Sequence, residues 1–268
     1  MRAFRVAYDG KQYRGFQRQP HGQTVEDTII ESLRKIGAFP EDDPLPPQFT
    51  ASGRTDKGVS ALGQTVALEC PDWLTPRAFN GELPGSIRAW AMAKAPEGFH
   101  ATHHAKRRHY TYHLYEPVVS REDVAAVLDS LSGTHDYHNF TPDSRNTERV
   151  VDAAVSRDGN YLVFEISSDG FPRHFVRRFV SLAHEVVTGR RPRSFVDRAL
   201  SDEVLSGGDG LRPAPPEPLV LRHVEYPQLD FSVDEEARES AYRVFSERSR
   251  YHQTATRVAD QLRHGMDG

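Results

Sequence analysis

Cysteine, lysine and long apolar runs are scarce in this chain, and each scarcity removes a class of protein. Cys70 is the single cysteine, so neither an intrachain disulfide nor a cysteine-rich metal cluster can form. No stretch of about eighteen apolar residues occurs, which excludes a membrane-spanning helix. The opening residues, Met1 to Val6, alternate like a strand and carry no signal-peptide core, so a cytoplasmic location is expected. Only five of the 34 Lys and Arg residues are lysine. Arginine suits phosphate forks and base stacking better than lysine does, although a GC-rich genome or a salty cytoplasm produces the same bias.

A large positive charge is missing as well. The formal net charge is −4, which gives no general attraction for nucleic acid. Phosphate binding follows local fields rather than the sum, and locally basic residues do gather: Lys106-Arg107-Arg108-His109, Arg173-His174 with Arg177-Arg178, and Arg190-Arg191 with Arg193. Acids concentrate elsewhere, at Glu41-Asp42-Asp43 and Asp234-Glu235-Glu236.

What is present is enough for a compact enzyme. The 268 residues make one large or two ordinary domains with a substantial core. Phe4, Val6 and Tyr8 fall on one side of an opening strand, and Thr24 stands as an N-cap before Val25, Ile29, Leu33 and Ile36 at helical spacing. Strand-like segments follow near 48–52 and 64–69, a short helix near 75–82, and strands near 86–94 and 108–116. A second cycle predicts a helix over 121–131, strands over 148–156 and 161–168 joined by a turn at Asp158-Gly159-Asn160, and helices over 173–188 and 193–204. A glycine- and proline-rich loop then leads to a strand over 219–225, and 234–264 is charged and weakly amphipathic. This ordering predicts an α+β fold of sheets covered by helices.

The segment from Ala51 to Gln64 is the most informative in the chain. Its polar turn places Asp56 between Arg54 and Gly58, and Gly53, Gly58 and Gly63 allow it to bend around a ligand. A carboxylate on such a loop, with a guanidinium two residues away to favour its ionised form, is a candidate nucleophile or base.

As a whole, Gly53-Arg54-Thr55-Asp56-Lys57-Gly58-Val59 resembles the signature of the tRNA pseudouridine synthase A family, whose aspartate is catalytic. Further matches follow in order. They are Tyr8-Asp9-Gly10 with Tyr13-x-Gly15-Phe16-Gln17-Arg18-Gln19; Asn80-x-x-Leu83-Pro84-Gly85-x-Ile87; Phe99-His100-Ala101; Arg107-Arg108-His109-Tyr110-x-Tyr112; and Phe175-Val176-Arg177-Arg178-Phe179-Val180. The resemblance covers roughly residues 1–227. The chain departs from the family pattern at His109, where arginine is usual, at Lys57, where alanine is common, and at Pro172-Arg173-His174, which leaves open where the helix carrying Arg177 begins.

The resemblance implies two RNA-recognition-like (ferredoxin-like) halves joined into one continuous antiparallel sheet, with a central cleft. The amino-terminal half, 1–105, would carry the Asp56 loop. The carboxyl-terminal half, 106–230, would carry the tyrosine strand and the arginine helix, and 231–268 is a charged tail without an assigned role. It also implies the chemistry: a cofactor-independent tRNA pseudouridine synthase acting on uridines of the anticodon stem-loop, at tRNA positions 38 to 40, as a homodimer. Asp56 would be the catalytic nucleophile, Arg177 its ion-pair partner, Tyr110 the ring that stacks on uracil or relays a proton, and Arg54 the residue that fills the space of the flipped base. Leu219 would form an apolar floor, and Lys106, Arg107 and Arg108 would hold phosphates. Tyr112 is expected to pack.

Two rival readings bear on these residues. His100, His103, His104, His109 and His113 evoke a metal site, but no acid or cysteine stands at ligand spacing. His109 and His113 would share a face only on a helix, in a segment that alternates like a strand, so no metal is expected. A non-catalytic RNA-binding module on the same fold is the alternative function. The joint presence of aspartate, tyrosine and arginine argues for catalysis, because binding alone does not require that trio.

Overall fold

The computed structural model describes residues 1–266. Its frame is a ten-stranded sheet: β1 (Arg2–Tyr8), β2 (Thr50–Ala51), β3 (Ser60–Leu68), β4 (Ile87–Lys94), β5 (Arg107–Tyr115), β6 (Gly133–Asp136), β7 (Glu148–Asp158), β8 (Tyr161–Ser168), β9 (Leu219–Glu225) and β10 (Ser232–Val233). The spatial order is β10-β4-β1-β3-β9-β5-β8-β7-β6, with β2 paired to β3. Helices α1 (Val25–Lys35), α2 (Pro76–Asn80), α3 (Arg121–Leu131), α4 (Phe175–Val187), α5 (Phe195–Ala199) and α6 (Glu235–His264) complete it. The α+β class agrees with the sequence. The sheet is antiparallel except at its centre, where β3 and β9 run parallel through two residue pairs, Ser60 with Val220 and Ala61 with Leu221. β9 reaches that position after the long excursion through α4 and α5, which frees it to enter beside β3 in the same direction.

Strand β1 is central, between β3 and β4, and is buried along all of its length after Arg2. Its second face therefore carries Ala3, Arg5 and Ala7 inward as well. Arg5 is tolerated because its guanidinium donates to the carbonyls of Gly63 and Val224 and to the Thr65 hydroxyl, and lies 4.2 Å from the Phe231 ring centroid.

Two apolar cores form. The first joins β1, β3 and β4 to α1, whose Val25, Ile29, Ile30 and Leu33 are buried. Thr24 caps that helix, accepting from the Asp27 amide at 3.1 Å. The second joins β5, β7 and β8 to α3, α4 and α5 and is rich in aromatics, with Tyr137, Phe140, Phe175 and Phe179 in mutual contact. β9 serves both, sending Leu221 and Val224 into the first core and Leu219 into the second.

Helix α5 stops at Ala199, short of the expected 204, and the short strands β6 and β10 were not expected from the sequence. The tail forms the 30-residue helix α6, capped by Asp234, and its first turns pack Ala237 and Ala241 against the rest of the protein. Among the described residues, no helix is long and apolar enough to cross a membrane.

Candidate active site

The Asp56 loop bridges β2 and β3 and is held from both cores. On one side Thr55 is buried, and its hydroxyl shares a 2.7 Å hydrogen bond with the Tyr8 phenol. On the other, Val59 is buried in the second core. The Tyr8–Gln19 segment forms the floor beneath the loop. The Phe16 amide donates to the Thr55 carbonyl at 3.0 Å, and Gly10 lies so close that a β-carbon there would overlap the Val59 carbonyl. Gly58 turns the chain with φ +87°, and a side chain there would meet Pro216 at 3.0 Å. Gly63 lies outside the loop, within β3.

Asp56 faces a groove of about 1080 Å³ between the two cores, lined among others by Arg54, Tyr110, Phe171, Arg177 and Leu219. From α4, Arg177 Nη1 donates to Asp56 Oδ2 at 2.9 Å, across 121 positions of sequence. Both side chains are largely buried, 13 % and 25 % exposed, so the pair is less screened than a surface bridge. Arg177 Nε donates to the Ala214 carbonyl at 2.6 Å, which fixes the guanidinium. Nε2 of His174 lies 3.7 Å from Asp56 Oδ1.

Tyr110 enters from β5. The β5–β9 register shifts between His109 and Tyr110, a local irregularity of the kind that re-aims side chains beside active sites. Its ring meets Phe171 edge-on at 5.3 Å. Burial pushes the phenol up to about 12, with Asp56 adding to the effect and Arg108 opposing it, so it keeps its proton at neutral pH. Tyr112 is buried in the second core, and its hydroxyl donates to the Pro215 carbonyl.

The structure therefore brings together Arg54, Asp56, Tyr110, Arg177 and Leu219. Arg54 is exposed and, among the described residues, has no hydrogen-bond partner. The basic run on β5 divides. Lys106 is exposed and lies outside the groove lining, and Arg107 turns to an ion pair with Asp152 and a hydrogen bond to Ser167. Arg108 lines the groove while donating to the carbonyls of Ser52, Thr102 and Asp169. His109 pairs with Glu225 at 2.7 Å. The sequence placed His174 only in a basic cluster with Arg173, Arg177 and Arg178, and gave Phe171 no role. The only available signal was their place in the Phe-Pro-Arg-His stretch ahead of α4. Among the described residues, no group of three or more His, Cys, Asp or Glu side chains could hold a metal ion.

Comparison with known proteins shows the family. A family model described as tRNA pseudouridine synthase matches residues 127–227. The chain is 53% identical to a tRNA pseudouridine synthase A of Natronomonas pharaonis over 264 residues, covering 98% of each. It is 50% identical to one of Haloarcula marismortui, covering 99% of this chain and 100% of that one. A solved Cbf5-Nop10-Gar1 complex aligns with a TM-score of 0.39 at 14% identity, over 87% of this chain and 51% of that one, a likeness too weak to carry a conclusion. With half of its residues shared along nearly its whole length, and with an aspartate and an arginine meeting over a groove, the chain belongs to the tRNA pseudouridine synthase A family of isomerases.

Proposed function

We propose that the protein converts uridine to pseudouridine in the anticodon stem-loop of tRNA, at positions 38 to 40, without a cofactor. The observation that supports this most is the Asp56–Arg177 pair, set beside Tyr110 in a groove of about 1080 Å³. The isomerisation breaks the N1–C1′ bond and forms a C5–C1′ bond; C5 loses a proton and N1 gains one. Asp56 acts as the nucleophile, at C1′ or at C6, with Arg177 orienting its carboxylate and balancing the charge. Tyr110, neutral at working pH, stacks on the uracil or relays a proton, giving up its own hydroxyl hydrogen as it takes another. Leu219 supports the base from below. Arg54, exposed on the loop, occupies the gap left when the nucleotide swings out.

The two halves of the enzyme are residues 1–105 and 106–230, and it works as a homodimer in the cytoplasm with tRNA lying across both subunits. Exposed Lys106 contacts phosphate, Arg108 braces the groove wall, and Arg107, held by Asp152 and Ser167, supports β5 beside it.

The test is incubation of the protein with unmodified tRNA, followed by mass spectrometry of the anticodon arm. The wild type should yield pseudouridine at one or more of positions 38 to 40, unaffected by chelator. Asp56→Asn should lower the rate by on the order of 10⁴-fold. A wild type that binds tRNA but forms no product would mark a binding module, and full activity in Asp56→Asn would remove the nucleophile from this account.

A further inference from the structure

We propose that His174 is a second positioning residue for the reacting carboxylate, holding Asp56 Oδ1 as Arg177 holds Oδ2. The inference rests on the reading of Asp56 as the catalytic group. His174 is the residue immediately before α4, and its backbone is left-handed, with φ 64° and ψ 2°. Side chains with a β-carbon rarely adopt that conformation, and where they do a functional constraint is a common reason. Helix capping does not explain it, because the His174 side chain makes no cap hydrogen bond to α4.

The surroundings fix the residue in place. The Phe175 amide donates to the Pro172 carbonyl, and Asp143 holds Arg173 both at its backbone amide, at 2.9 Å, and at its guanidinium, at 3.2 Å. The turn 172–175 is thereby clamped, and the imidazole is delivered into the groove, 34 % exposed, with Nε2 3.7 Å from Asp56 Oδ1. His174 and Arg177 stand three positions apart, which puts them on one side of the helix start. Arg177 takes Oδ2 and leaves Oδ1 to the histidine. The separation exceeds a hydrogen bond by a small side-chain rotation, and exclusion of water by bound RNA strengthens the contact once made. Two contacts on two oxygens fix the plane of the carboxylate, whereas one leaves it free to rotate.

The discriminating variant is His174→Gly. Glycine accepts the left-handed backbone without strain, so a purely structural role predicts no loss of function. A positioning role predicts a kcat lower by about 10- to 100-fold with KM within about twofold, because a misplaced reacting group costs rate rather than binding. His174→Gln carries an amide N–H to about the reach of Nε2 and should recover most of the lost kcat. Thermal unfolding of each variant, with and without tRNA, checks that both fold. Wild-type kcat in His174→Gly, a loss that appears in KM alone, or no recovery in His174→Gln would each overturn the proposal. Asp56→Asn run alongside separates the two readings. If it keeps full rate, the role of Asp56 fails. If it is inactive while His174→Gly matches the wild type, only the role of His174 fails.

Discussion

Thr55 and Asp56 are chain neighbours with opposite surroundings: the first is buried against Tyr8, the second faces the groove. A short polar motif can encode both because the buried hydroxyl fixes the backbone that aims the carboxylate at the groove. The aspartate, tyrosine and arginine were legible as a set because they stand in motifs that resemble a known family. The pairing of Asp56 with Arg177 is invisible to any local pattern. His174 could be read only as one charge in a basic cluster, because its approach to Asp56 depends on a turn held by contacts of its neighbours Arg173 and Phe175 with Asp143 and Pro172. The basic run on β5 misled in part: charge in a row reads as a solvated phosphate site, yet the strand period sends Arg107 to Asp152. A prediction at this scale concerns Tyr110. Since its phenol lies at about 12, the alkaline limb of the rate profile should not owe anything to its ionisation below about pH 11. Tyr110→Phe should keep the Phe171 contact and the fold while kcat falls by about 10²-fold or more. A variant with an unchanged kcat would assign the ring to stacking alone.

Among the elements, the amino-terminal Tyr8–Gln19 segment gains a physical role as the floor under the Asp56 loop. The backbones touch at Gly10, so Gly10→Ala should cost about 1–3 kcal/mol in urea unfolding and displace the loop, lowering activity by more than the stability loss explains. An alanine variant with wild-type stability and rate would show that the loop tolerates lifting. Most helices and strands were readable from apolar spacing and caps, Thr24 and the Asp158-Gly159-Asn160 turn among them. β6 and β10 were not, being four and two residues long, and β10 finds its partner in the distant β4. Helix α6 divides into a docked first part, with Ala237 and Ala241 buried and Arg248 paired to Asp9, and an exposed remainder. Deleting residues 249–268 should change the unfolding free energy by less than about 1 kcal/mol, whereas deleting from Asp234 onward should cost more than about 2 kcal/mol. Equal losses from the two truncations would show that the outer turns carry weight in the fold.

For the whole molecule, buried phenols set the response to alkali. Burial raises Tyr8, Tyr110, Tyr112, Tyr137 and Tyr226 above the ordinary value of 10.0, with Tyr110, Tyr112 and Tyr226 near 12. Below pH 10 folded and unfolded chains both keep these protons, so the phenols cause no change in stability. Above it the unfolded chain releases them first, and stability falls as pH rises from about 10 toward about 12. The urea midpoint should therefore stay level to about pH 9.5 and drop steeply beyond, and a midpoint unchanged at about pH 11 would contradict the burial of these rings. The α+β architecture was legible from element order, but the parallel meeting of β3 and β9 was not, because sequence spacing carries no information about which strand a late segment will join.

That meeting has a consequence for biosynthesis. Beside Ser60 and Ala61 the edge of β3 stays unpaired until residues 220 and 221 have been made, and Leu221, Val224 and Tyr226 are missing from the first core until that stretch follows. An emerging chain thus carries an unfinished amino-terminal half through four-fifths of its translation, and the groove that Asp56 faces is among the last features to come into being.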